Sequence, residues 1–135
     1  MNKIEHIGIA VSDLGLSEAV FDKLLNRKAY KSEEVESEKV KTTFYRLGES
    51  KIELLSVTHP DSVIAKYIDK RGSGMHHIAI AVDDIHQEIT RLKKEQFVFI
   101  DEQPKRGADN KLIVFLHPKS TGGVLVELCQ GLNDN

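Results

Sequence analysis

The sequence predicts an α+β fold made of two copies of a βαβββ unit, and two observations carry that expectation. The segment Glu5-His6-Ile7-Gly8-Ile9-Ala10-Val11-Ser12-Asp13-Leu14 returns as His76-His77-Ile78-Ala79-Ile80-Ala81-Val82-Asp83-Asp84-Ile85, which sets His6 and His77 71 residues apart. Ile52-Glu53-Leu54-Leu55 reappears as Val126-Glu127-Leu128-Cys129, with Glu53 and Glu127 74 residues apart. Such a unit cannot close a core alone, so it is expected to bury a helix-covered face on its own sheet and pair with its twin. The expected architecture is one domain over 1–135 with modules at about 1–73 and 74–135. Their strands would form a curved mixed sheet around a metal-binding cleft, with the helices on the outer face.

The elements follow in order. Residues 4–11 alternate and are rich in β-branched side chains, which reads as a strand. Ser12 and Asp13 can cap a helix over 16–26, where Leu16, Val20, Phe21, Leu24 and Leu25 form one stripe. Residues 29–35, 40–47 and 50–57 read as three strands, the last two joined at Gly48-Glu49-Ser50 by a tight turn. Pro60 and Asp61 open a short helix to about Ile68, and Arg71-Gly72-Ser73-Gly74 is a linker. The second half restarts with strand 75–82, helix 84–95, and strands near 97–100, 111–117 and 123–130.

Strand alternation decides which side chains share a face. Ile7, Ile9 and Val11 point one way, and His6, Gly8 and Ala10 the other. The second copy sets Ile78, Ile80 and Val82 against His77, Ala79 and Ala81. The bulky face suits the helices, while the face with one imidazole and very small neighbours suits an open cleft. Ile52 and Leu54 take the helix side and leave Glu53 for the cleft; Val124, Val126 and Leu128 likewise leave Glu127. A lone histidine in an apolar strand is ordinarily a hydrogen-bonded structural residue, and a lone strand Glu a solvated one. Two of each, repeat-related and sharing a predicted face, point to a divalent metal: Co, Mn, Ni, Zn or Fe. Such an ion polarises a carbonyl and favours removal of the α-proton, with a neighbouring carboxylate as base.

Bulk properties narrow the function. Length and composition are those of one ordinary globular domain, 135 residues with 40% apolar and 30% charged. A net charge of −2, with acids and bases mixed, leaves no footprint for nucleic acid or an anionic membrane. The single cysteine, Cys129, excludes an intrachain disulfide and cysteine-rich structural zinc, and it suits a reducing cytoplasm. Glu5 and His6 interrupt the apolar run at the start, and no stretch reaches the roughly 20 apolar residues of a membrane span, so neither signal peptide nor span is expected.

Other chemistry-bearing residues read more plainly. His76 faces the helices and suits a structural role, while His59 and His86 lie in polar contexts. Cys129, without a partner base, reads as a small core or cleft-lining residue. His117-Pro118-Lys119-Ser120-Thr121-Gly122-Gly123 is a turn leading into the Glu127 strand. Lys119 and Ser120 there are candidates to meet a carboxylate or thioester, with a plain polar hairpin equally compatible. Lys105-Arg106-Gly107 reads as a solvated basic loop.

With these residues in view, the chain resembles the vicinal oxygen chelate superfamily, and within it the methylmalonyl-CoA epimerase family. The resemblance covers nearly the whole chain. Its carriers are His6-Ile7-Gly8-Ile9-Ala10-Val11, Lys51-Ile52-Glu53-Leu54-Leu55, Ile64-Ala65-Lys66, Gly74-Met75-His76-His77-Ile78-Ala79 and His117 through Leu128, of which the paired His and the His-Pro-Lys-Ser run are specific. It implies paired βαβββ units around a metal held by His6, Glu53, His77 and Glu127, with Glu127 doubling as acid/base. It also implies epimerisation of methylmalonyl-CoA at C2 through a metal-stabilised enolate, an acyl-CoA substrate, and a homodimer.

One position departs from the pattern. Some relatives carry a second catalytic glutamate where this chain has Thr42, and those tend to have Gln where this chain has Glu53. Thr42 cannot act as a base near neutral pH, so Glu53 is expected to supply the acid/base opposite Glu127. Two alternatives share the scaffold: a glyoxalase I using the same His, Glu, His, Glu set on a hemithioacetal, and a non-catalytic small-molecule-binding protein.

Overall fold

The structure, a computed structural model, describes residues 1–132. It divides into two compact units, one of residues Ile7–His76 and the other of Met1–His6 with His77 onward. The first strand, β1 (Lys3–Ala10), contributes its opening residues to the second of these and its closing residues to the first.

In the Ile7–His76 unit, β1 is followed by α1 (Leu14–Leu25), β2 (Lys31–Val35), β3 (Val40–Leu47), β4 (Ser50–Val57) and α2 (Val63–Arg71). The strand order is β2-β3-β4-β1, with β2–β3 and β3–β4 antiparallel. Asp13 caps α1 by accepting the Leu16 N–H at 3.0 Å, and Asn26, in the left-handed region at φ 53°, ends it. Helix α2 starts at Val63 rather than Pro60, because the Ser62 hydroxyl accepts the Ile64 N–H. Val11, Tyr45 and Leu54 form one core with Ile9, Leu14, Phe21, Leu25 and Ile52, the α1 side. Ala10, Val40, Leu55 and Ile64 form another with Tyr67 and Ile68 of α2. The expected α1 stripe divides: Phe21 and Leu25 pack inward, whereas Leu16, Val20 and Leu24 lie exposed.

In the other unit, β5 (Gly74–Ala81) leads to α3 (Ile85–Lys94), β6 (Lys105–Gly107), β7 (Lys111–Leu116) and β8 (Val126–Gly131). Strand order is β5-β8-β7-β6; β5 runs parallel to β8, and the other pairs are antiparallel. Asp84 caps α3 as Asp13 caps α1, accepting the Gln87 N–H. The core places Ile85, Ile89 and Leu92 against Val82, Val114, Leu116 and Leu128. Ala79, Ile113 and Cys129 make a smaller cluster with Phe115. Among the described residues no helix is long and apolar enough to cross a membrane.

The internal repeat is visible in the main chain. The Val11 N–H donates to the Leu55 carbonyl at 3.0 Å, and its repeat equivalent Val82 donates to the Cys129 carbonyl at 2.9 Å.

Three expected elements differ. Residues 97–100 form no strand, only a single bridge from Phe99 to Leu116. The ladder beside β7 is instead made by Lys105-Arg106-Gly107, expected as a loop: backbone pairing needs no apolar side chains, and Gly107 admits Ile113 where a Cβ would come within 2.8 Å of it. The last strand begins at Val126, not residue 123, because Gly122 and Gly123 turn the chain at φ 68° and 98°; Val124 is left exposed instead of on the helix face.

Candidate metal centre

The site assembles within the unit that contains the opening of β1. Ala79 of β5 lies opposite Glu127 of β8, and His77, two residues earlier, shares the Ala79 face. His77 therefore stands diagonal to Glu127 across the parallel pair. The His77 Nε2 lies 3.3 Å from Glu127 Oε1. His6 completes the group, its Nε2 3.0 Å from His77 Nε2 and 3.8 Å from Glu127 Oε2. The two rings meet edge to face, centroids 5.1 Å apart and planes at 84°. All three side chains are buried, and one donor atom from each lies within 4.8 Å of the others.

Two supporting contacts were not anticipated. His6 Nδ1 lies 2.9 Å from Glu5 Oε1, and Glu5 Oε2 is 4.0 Å from the Lys111 ammonium. A carboxylate beside Nδ1 holds the proton on that nitrogen, so the Nε2 lone pair of His6 faces His77 and Glu127. Phe115 is the second support; its ring packs edge-on against His77 at 5.6 Å, and it pairs in register with Glu127. The signal for Glu5 was its position next to His6. Alternation alone sends neighbouring strand residues to opposite faces, which hid it.

Glu53 stands on β4 of the other unit, buried at 4% exposure. It pairs in register with Phe44, the repeat equivalent of the Phe115–Glu127 pair. Its Oε2 lies 3.9 Å from the Lys51 ammonium, which is itself buried and 5.6 Å from the Phe44 ring centre. Within the Lys51-Ile52-Glu53 run, the i, i+2 spacing in a strand puts Lys51 on the Glu53 face. Thr42, fully buried, shares that face through its pairing with Leu55.

The remaining sequence candidates have structural engagements. The Ser120 hydroxyl accepts the Val98 N–H at 2.8 Å, and Lys119 is exposed on the same short 3-10 turn, whose first N–H bonds to the His117 ring. The His76 ring packs edge-on against Tyr67 of α2 at 4.9 Å, the structural role expected of it.

Two imidazoles and a carboxylate with donor atoms within 4.8 Å of one another are the ligand types of a divalent cation site. The residues present therefore fit the ion that the resemblance implies. This donor set in a βαβββ repeat defines a class, and comparison with known proteins agrees. Residues 5–115 match the Glyoxalase/Bleomycin resistance protein/Dioxygenase superfamily, and the chain belongs to that superfamily. Its relatives include the human mitochondrial methylmalonyl-CoA epimerase, 39% identical over 96% of this chain and 74% of that protein. An ethylmalonyl-CoA/methylmalonyl-CoA epimerase of Cereibacter sphaeroides is 36% identical over 96% of this chain and 98% of its own. Among solved structures, a Streptomyces coelicolor methylmalonyl-CoA epimerase variant in complex with 2-nitronate-propionyl-CoA superposes with a TM-score of 0.92 at 30% identity, covering 97% of this chain and 95% of that one.

Proposed function

We propose that this chain interconverts the two C2 epimers of methylmalonyl-CoA. The observation that carries the reading is the convergence of His6, His77 and Glu127 donor atoms in a chain whose relatives are named for that activity. His6, His77 and Glu127 would hold one divalent ion, and Glu53, the repeat partner of Glu127, is assigned as its fourth ligand. When bound, the ion supplies Lewis acidity toward the thioester carbonyl oxygen, which makes the C2 proton more acidic.

The chain's own residues do the rest. Glu127 takes or returns the C2 proton as a carboxylate or carboxylic acid. Epimerisation needs delivery to either face, and Thr42 cannot carry a proton near neutral pH, so Glu53 is assigned as the second acid/base. The Lys51 ammonium lies 3.9 Å from Glu53 Oε2 and pairs with it. Glu5 orients the His6 ring, and Phe115 excludes water from one edge of His77. Lys119 is assigned to an anionic group of the acyl-CoA, with the Ser120 hydroxyl shaping the turn that presents it. Cys129, buried and in no disulfide, suits a reducing cytoplasm. The working form is assigned as a homodimer.

The test is to incubate metal-reconstituted protein with methylmalonyl-CoA in D2O and follow the C2 proton by NMR, with an EDTA-stripped control. Metal-dependent washout at enzymatic speed is expected. Exchange no faster than the control would overturn the reading and direct attention to the methylglyoxal–glutathione hemithioacetal.

A further inference from the structure

Lysine is almost never fully buried without a negative partner, because taking an ammonium out of water is costly. Lys51 is only 5% exposed, with its ammonium 3.9 Å from Glu53 Oε2 and 5.6 Å from the Phe44 ring centre. The second repeat has no such cation. Glu127 corresponds to Glu53 and Phe115 to Phe44, so the counterpart of Lys51 is Leu125. A buried glutamate at this strand position therefore does not require a lysine two residues before it.

The face around Lys51 is cationic. Arg46 pairs in register with Lys51, and Lys31 with Phe44, so all of them stand on the Glu53 face of the sheet. The Lys31 ammonium lies 4.8 Å from the centre of the Phe44 ring that Lys51 also approaches. Across β2, β3 and β4 this face carries three cations, Lys31, Arg46 and Lys51, against two carboxylates, Glu33 and Glu53. One positive charge is in excess, which favours an anionic ligand. Lys31 pairs with Glu33 and Arg46 lies exposed against Tyr30, whereas Lys51 is the desolvated cation beside the glutamate assigned to the chemistry.

The proposed substrate brings a matching anion. Its C2 carries a free carboxylate, bonded directly to the carbon whose proton Glu53 is assigned to move. A C2 within reach of Glu53 thus sets that carboxylate beside the Lys51 ammonium. Removing the C2 proton adds negative charge next to a carboxylate that is already charged, and a fixed ammonium offsets it. We infer that Lys51 binds the free carboxylate of the substrate and makes the protein selective for thioesters that carry one at C2. The inference deepens the epimerase reading above and rests on it. Lys119, being exposed, suits an anionic group of the acyl-CoA that stays in solvent.

Isothermal titration calorimetry on the metal-reconstituted full chain tests it with two ligands, methylmalonyl-CoA and propionyl-CoA, which lacks only the carboxylate. The wild type is expected to bind methylmalonyl-CoA more tightly. Lys51→Met keeps the length of the side chain without its charge. It is expected to weaken methylmalonyl-CoA binding by about 10- to 100-fold, the range for a hydrogen bond to a charged group, and to leave propionyl-CoA binding unchanged. Lys51→Leu copies the second repeat and carries the same expectation. Lys41→Met removes a lysine from the opposite face of β3 and is expected to keep the preference. Inductively coupled plasma mass spectrometry establishes that each chain holds its metal. A wild type without the preference, or Lys51 variants that keep it or lose both ligands equally, would overturn this inference while wild-type C2 exchange stands. Absence of C2 exchange in the wild type would overturn the epimerase reading and this inference together.

Discussion

The Nε2 atoms of His6 and His77 lie 3.0 Å apart, with the Glu127 carboxylate within 3.8 Å of both. Two imidazole nitrogens at that separation need a proton or a cation between them, and Glu5 holds the only proton of a neutral His6 on the far nitrogen.

His77→Ala is therefore expected to abolish stoichiometric metal binding, read by inductively coupled plasma mass spectrometry, and with it metal-dependent C2 exchange. Glu5→Gln keeps the donor atoms but loosens the His6 ring. It is expected to weaken metal affinity by about 10- to 100-fold, the usual cost of losing a group that orients a ligand. Undiminished affinity in Glu5→Gln would show that Glu5 does not orient the ring.

The two glutamates separate by experiment. Glu127→Gln is expected to lower epimerisation by about 100- to 10,000-fold, the range for loss of a positioned acid/base. Glu53→Gln is expected to retain C2 exchange from one epimer of the substrate while losing turnover to the other, scored by NMR on each epimer separately. A Glu53→Gln chain with metal and a full epimerase rate would remove Glu53 from the acid/base role.

Burial first, then the hydrogen bond to Asp22, then the nearby Asp22 and Glu18 charges push the Tyr45 phenol well above its ordinary value of 10.0. Below pH about 10 the phenol is protonated in folded and unfolded chains alike, and its contribution is fully present. Above that, the unfolded chain releases its proton while the folded chain retains it, so stability falls as pH rises. Urea titrations from pH 8 to 11 are expected to show this slope, and Tyr45→Phe is expected to reduce it.

Gly107→Ala places a methyl group 2.8 Å from Ile113 Cδ1 and 3.1 Å from its Cγ2. The neighbour is a branched side chain in a core cluster, with little room to retreat. A loss of about 1–3 kcal/mol is expected in chemical denaturation, the range for overpacking. Gly48→Ala is the comparison, since its cost comes from φ 59° with nothing within 4 Å.

The sequence by itself determined the repeat and the strand faces, because period-2 alternation and a 71-residue recurrence are local facts. Ile9, Val11, Ile52 and Leu54 pack on the α1 side as alternation requires, and both helices start at the aspartates that cap them. Tertiary structure decided what periodicity cannot carry. An apolar stripe states that a helix is two-sided, not which side is covered. In α1 the buried hydroxyls of Thr43 and Tyr45 draw Glu18 and Asp22 inward and leave Leu16, Val20 and Leu24 outside. Backbone pairing has no apolar signature either, so β6 formed from Lys105-Arg106-Gly107, whereas the apolar run 97–100 makes only one bridge, Phe99 to Leu116. The approach of Glu5 to His6 Nδ1, which selects the nitrogen facing the site, depends on side-chain torsions that no strand pattern encodes.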